Sequence, residues 1–250
     1  MSAAETLSTP SELLLSPEPM LEPMLPPVTA PQPPMTLLDR VLRDHRGLTQ
    51  AILTDQETTT LIPGLVMITA GGAAMFGMAL GLQGGFAQAL SSGIKFPLVM
   101  LGAAGITLPI LHVGCAMAGL RLRTEQLSAL LLQALSAAAV TMAGLAPLMV
   151  VAWLTISIGS SSDWYVYRRL VLAAVGVASI GGLVGAHRIL RVIPLRVAVP
   201  WAGCFGLAGL QLSWLLRPLV SMPEGDFVLL RALESNGLAE VLQALIAVLT

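Results

Sequence analysis

Hydrophobic positions crowd into five long runs along the chain, and polar positions collect between them. The first run, Leu61 to Leu82, carries 22 residues without a charge. A helix needs about 20 apolar residues to cross a bilayer, so this run reads as a membrane span. The runs 98–120, 127–158, 170–190 and 197–216 are read the same way. Run 127–158 is longer than one hydrocarbon crossing, and Pro147 in GLAPL is where it is expected to bend. The pattern predicts an all-α integral membrane protein, a bundle of about five transmembrane helices with flanking amphipathic helices.

The segments outside the spans differ in kind. Residues 81–97, GLQGGFAQALSSGIKFP, are too polar and too glycine-rich to belong to either neighbouring span. Gly84 and Gly85 break the first helix and Pro97 starts the second span, which leaves 86–94 as a short interfacial linker helix or a re-entrant segment lining a cavity. Residues 1–36 hold nine prolines and four glutamates without a Lys or Arg, the composition of a disordered Pro-rich tail, either a solvated spacer or a docking tail. Over 37–56, Leu38, Val41, Leu42, Leu48, Ile52 and Leu53 recur near helical spacing with Arg40, Arg43 and Arg46 between them. This is an amphipathic juxtamembrane helix, capped by Thr36 and bent or broken at Gly47, lying on an anionic leaflet or on the protein's own loops. Residues 224–250 form amphipathic C-terminal helices, the second with an apolar face of Leu238, Val241, Leu242, Leu245, Ile246 and Leu249.

Composition narrows the function classes. The chain is 55% hydrophobic and 11% charged, against about 25% charged in a soluble domain, so most of its surface faces lipid or itself. A net charge of −1 offers no attraction to nucleic acid. The expected partners are the lipid bilayer and other membrane protein subunits. Cys115 and Cys204 both lie in apolar runs, as buried thiols do. The opening MSAAETLSTP has no basic n-region, so no cleaved signal peptide is expected. In a five-span arrangement Arg40, Arg43, Arg46, Arg121, Arg123, Arg188, Arg191 and Arg196 fall on the N-terminal side, and Lys95, Arg168, Arg169, Arg217 and Arg231 on the other. The positive-inside rule then places the N terminus in the cytoplasm, in a multi-pass protein of the cell inner membrane.

Candidate chemistry is sparse. None of the acidic residues falls inside a span, which argues against a proton relay and an intramembrane aspartyl dyad. HExxH, GxSxG, Walker A and Rossmann signatures are absent. No catalytic, cofactor or metal residues are assigned, and the chain is expected not to be an enzyme. The candidate functional polar residues are Lys95, His112 and Arg217. Lys95 is the one charge in 81–97, and Arg217 suits an interface anchor beside Trp214. His112 lies inside the second span, where a structural hydrogen bond is expected; a bis-histidine haem would need a second His at that depth, and His187 stands at the end of a later span. The candidate helix-packing residues are Gly77, Gly81 and Gly85 in the first ladder and Gly181 and Gly185 in the fourth span, small residues at four-residue spacing that let backbones approach.

Residues 36–220 resemble a known group. A glycine-rich first span, then Gln88-Ala-Leu-Ser-Ser-Gly-Ile-Lys-Phe-Pro97, Leu145-Ala146-Pro147 and Trp214-Leu-Leu-Arg217-Pro218 are similar to bacterial inner-membrane proteins labelled "actin-binding WH2 domain-containing". The layout is also similar to the Yip1-type five-span architecture. The resemblance implies a multi-span membrane protein without an established activity. The helix ending at Thr49, LLDRVLRDHRGLT, carries the label's likeness, yet Leu48-Thr49-Gln50 lacks the lysines of a WH2 segment, so actin is not an expected partner. The sequence is read as a non-enzymatic scaffold or assembly component. The alternatives are a transport protein or channel with 81–97 re-entering the bilayer, and an accessory subunit docking through its glycine ladders.

Overall fold

The computed structural model describes residues 37–54, 58–159 and 163–216. The tail 1–36, the helices expected over 224–250 and Arg217 lie outside the described residues, as do Thr36 and Arg231. Seven α-helices follow in order: α1 Leu37–Arg43, α2 His45–Leu53, α3 Thr58–Gly81, α4 Phe86–Met117, α5 Thr124–Gly159, α6 Asp163–Leu190 and α7 Leu195–Leu215. The last five are long and apolar enough to cross a membrane, which makes this an all-α, multi-pass membrane bundle.

The five spans pack as a curved row, α6–α5–α3–α4–α7. Between lipid-solvated helices there is little hydrophobic drive, so close backbone approach and polar contact hold them. Both operate at α3. A Cβ on Gly72 would stand 2.8 Å from the Ala139 carbonyl on α5. Beside it, the hydroxyls of Thr69 and Ser136 lie 2.9 Å apart, and Ser136 also donates to the Leu65 carbonyl. Toward α4, a Cβ on Gly81 would stand 2.6 Å from the Gln88 carbonyl oxygen, and one on Gly77 would overlap the Ser92 carbonyl. Phe76 and Phe96 meet edge to face at 5.1 Å across the same contact.

The segment 81–97 takes neither of its two expected forms. A 3-10 turn, Leu82–Gly84, and Gly85 at φ 88° reverse the chain, after which α4 runs unbroken from Phe86 to Met117 through Pro97 and Pro109. Proline in a helix interior costs about 3 kcal/mol in water. Here the first turns of α4 are the antiparallel partner of α3, and their packing on Gly77 and Gly81 keeps them helical. Their polarity is inverted. Phe86, Leu90, Ile94 and Leu98 are exposed while Gln88, Ser91, Ser92 and Lys95 are buried. Lipid demands an apolar outer face and sends polar groups inward.

The juxtamembrane segment is two helices, not one bent at Gly47. Asp44 separates them, its carboxylate accepting from Gly47 N at 3.0 Å, as an N-cap does. Val41, Leu48 and Ile52 are wholly buried against Leu61 and Leu65 of α3 and Ala129 and Leu130 of α5. The pair therefore rests on the bundle itself. At the far end of α4, Gly119 at φ 83° closes the helix, with Leu120 N donating to Cys115 O and Gly119 N to Ala116 O.

Candidate functional site

Three groupings of side chains stand out in the bundle: a polar stripe on α4, a clasp around α1 and α2, and an apolar cavity between the end helices of the row. Gln88, Ser92 and Lys95 recur at helical spacing on the buried face of α4, with Gln88 Nε2 donating to Ser92 Oγ at 3.3 Å. The Ser91 hydroxyl is buried beside them without a partner. Lys95 is thus inside the protein, and the stripe takes no part in lining the cavity.

The clasp is built from two glutamines of α5. Gln126 Oε1 accepts from Arg123 N, closing the start of α5, while its Nε2 donates to the Ile52 and Leu53 carbonyls at the end of α2. One side chain thereby satisfies orphan groups at two helix ends. Two turns on, Gln133 Nε2 donates to His45 O at 2.9 Å and to Thr49 Oγ1 at 3.0 Å. From α6, Arg188 donates to the Val41 carbonyl at 2.6 Å. Arg191 completes the ring, with Nε 3.2 Å from His187 Nε2 and Nη1 3.3 Å from His45 Nε2. A guanidinium only donates, so each of these contacts has the imidazole Nε2 as its acceptor. Burial holds His45 below its ordinary pKa, helped by the positive charges of Arg188, Arg191 and Arg46, with Asp44 acting in the opposite direction.

The cavity lies where α6 and α7 face each other and barely meet. Its volume is about 370 Å³, and its wall comes from α4, α5, α6 and α7. Phe96, Met100, Ala138, Gly182, Trp201 and Phe205 are characteristic of the lining, which is apolar throughout. Trp201 is buried, tilted 34° against Phe205 at 5.4 Å, and its indole N–H has no partner among the described residues. Such a space suits aliphatic or small-residue surface and offers a polar substrate nothing to hold.

The helix-packing glycines are placed by these contacts. Gly77 and Gly81 lie against α4. Gly181 and Gly185 lie against α5, where added Cβ atoms would stand 3.0 Å from Ala138 O and 3.1 Å from Ala134 O. Gly85 makes no such contact and serves the reversal by its positive φ. The Nδ1 of His112 is buried with no partner among the described residues. Among the described residues no group of three His, Cys, Asp or Glu could hold a metal ion. The clasp itself went unread in the sequence. Its signal was Gln126 and Gln133, amides seven residues apart on one face of an apolar helix. Compared with protein-family models, curated proteins and solved structures, the chain matches none.

Proposed function

We propose that this protein is a non-enzymatic scaffold or assembly component of the cell inner membrane, with its N terminus in the cytoplasm, joined to other membrane proteins along the seam between α6 and α7. The observation that carries the reading is the unclosed row. Four helices wall an apolar cavity of about 370 Å³ that they do not fill. Packed interiors leave few voids larger than a water molecule, so apolar surface from another component completes this one. The buried polar side chains of α5 support the same reading, because they hold α1 and α2 in place. Charge supports the orientation. Arg40, Arg43, Arg46, Arg121, Arg123, Arg188, Arg191 and Arg196 gather at the end that carries α1 and α2, while Lys95 and Arg169 lie toward the other.

An accessory subunit of a larger complex is the second reading, and α7 favours it. Only 11% of its apolar window is buried, against 44% for α3, and added Cβ atoms on Gly203 and Gly206 would meet nothing described within 4 Å. Affinity purification of the full chain in mild detergent, followed by native mass measurement, tests both. A second membrane protein in fixed ratio is expected. Photo-crosslinking from Gly182 marks the seam as the contact, and from Gly206 the outer face of α7. A lone monomer in lipid nanodiscs, crosslinked only to lipid from both positions, refutes the proposal.

A further inference from the structure

The pair α1–α2 has a second face, turned away from the bundle. On α1, Leu38 and Leu42 are 44% and 50% exposed, one helical turn apart, although Val41 beside them is wholly buried. Arg43, whose side chain is 79% exposed, and exposed Arg46 flank these leucines. Arg40, Arg188 and Arg191 lie on the same cap, and Asp39, Asp44 and, beside the end of α2, Glu125 are its described carboxylates. Asp39 is paired with Arg43 at 3.0 Å and Asp44 is engaged in capping α2, so the cap keeps a positive excess.

Depth says what this face meets. Leu37 lies over Gly64, six residues into α3, and α2 bonds to Gln133, nine residues into α5. At 1.5 Å per residue the cap sits about 9–14 Å below the start of those helices. The span containing α3 has 27 residues, about 40 Å, against a hydrocarbon thickness of about 30 Å. A centred span therefore overhangs by about 5 Å at each end, which leaves the cap about 4–9 Å inside the hydrocarbon boundary. Helices that lie in this zone bury their apolar face about 5–10 Å into the headgroup–acyl boundary and place Arg at phosphate level.

We infer that Leu38 and Leu42 of α1 are immersed in acyl chains and that Arg43 and Arg46 beside them select anionic phospholipid from the adjoining leaflet. The clasp by Gln126, Gln133 and Arg188 fixes the face at that depth, so the site is preformed. This inference stands apart from the seam, since no residue of α1 lines the cavity.

The test uses the full chain in nanodiscs of phosphatidylcholine with one-quarter phosphatidylglycerol, a ratio of about 3:1 chosen for a moderate surface charge. A polarity-sensitive fluorophore is attached at Leu42→Cys in a Cys204→Ser background, with Leu38→Cys as a second position. Blue-shifted emission, quenched by lipids spin-labelled near the head of the chain and not by aqueous iodide, is expected. Quenching by iodide overturns the inference, and so does protection from both quenchers, which means a protein covers the face. Spin-labelled phosphatidylglycerol should also be enriched over phosphatidylcholine at the protein boundary. R43Q/R46Q should lower that enrichment by about three- to fivefold at low salt. Unchanged enrichment removes the two arginines from the site.

Discussion

A single substitution, glycine to alanine, should have opposite signs at two positions of this bundle. At Gly206 on α7 an added Cβ meets nothing described within 4 Å. Alanine there gains helix propensity of up to about 1 kcal/mol, so Gly206→Ala should be neutral or stabilising. At Gly81 on α3 the same methyl would stand 2.6 Å from Gln88 O and 2.7 Å from Ala89 Cα. Ordinary contact needs about 3.5 Å, so α3 and α4 must part by about 1 Å. A gap of that size forfeits about a quarter to a half of each dispersion contact along the seam, and overpacking of this kind costs about 1–3 kcal/mol. Neither atom is the end of a flexible side chain, so the upper part of that range is expected. The net separation between the two variants should be about 2–4 kcal/mol. Reversible unfolding of each full-length variant in mixed micelles, followed by far-UV circular dichroism, reads it directly. If Gly81→Ala unfolds at the same denaturing fraction as Gly206→Ala, close approach of α3 and α4 is not what holds them together.

Three further outcomes follow from the clasp and the cavity. Gln133→Leu removes one of the partners of the His45 carbonyl and of the Thr49 hydroxyl, which still bond to each other at 2.8 Å; a loss of about 0.5–1.5 kcal/mol should speed amide exchange across α2 by roughly two- to tenfold, and unchanged exchange would show that the amide is idle. His45 has a folded-state pKa below the ordinary histidine value of about 6.5, so its contribution to cap stability is full above that pH and is lost as pH falls through the lowered value. Amide protection in α1–α2, taken relative to the intrinsic exchange rate at each pH, should therefore fall between neutral and acid pH, and His45→Gln should flatten that fall; equal slopes in both proteins would count against the clasp. Gly182→Leu places a side chain where an added Cβ meets no described atom, on the cavity wall; it should raise the stability of the isolated chain and cut recovery of any co-purifying membrane protein severalfold, and full recovery would exclude the seam as the contact.

Much of the architecture was legible in the sequence, for physical reasons that can be named. The five spans announce themselves by length and by the absence of acidic residues, because bilayer thickness is a single-chain constraint. Gly77, Gly81, Gly181 and Gly185 were visible as ladders, though the ladder rule does not say which helix each one meets. Gly72, whose added Cβ would stand 2.8 Å from the Ala139 carbonyl, lies in no such ladder and was missed. The start of α4 was misread because Gly, Lys and Pro are local signals of interruption. Buried and exposed positions there invert the water-soluble pattern, and only the contact with α3 tells that Gln88 and Lys95 point inward. The Arg191 link between His45 and His187 joins residues 146 positions apart in its longer arm. No local pattern reports such a pairing.

The helices of the row are not held alike, and the difference bears on how the seam works. α3 meets α4 and α5 through backbone, and α6 meets α5 through Gly181 and Gly185 with backbone oxygens about as near. α7 is attached differently. Val197 fits over Gly114 and Leu212 over Gly102 of α4, each contact made by the end of a flexible side chain, and Arg196 reaches Ala118 O at 3.4 Å. Side chains of this kind can change rotamer without moving a backbone, whereas backbone contacts cannot loosen without parting helices. α7 is therefore the wall of the cavity that yields most readily, and α6 the wall that stays. A component entering the seam would displace α7 against α4 and leave the packing of α3, α5 and α6, with the clasp they carry, unchanged.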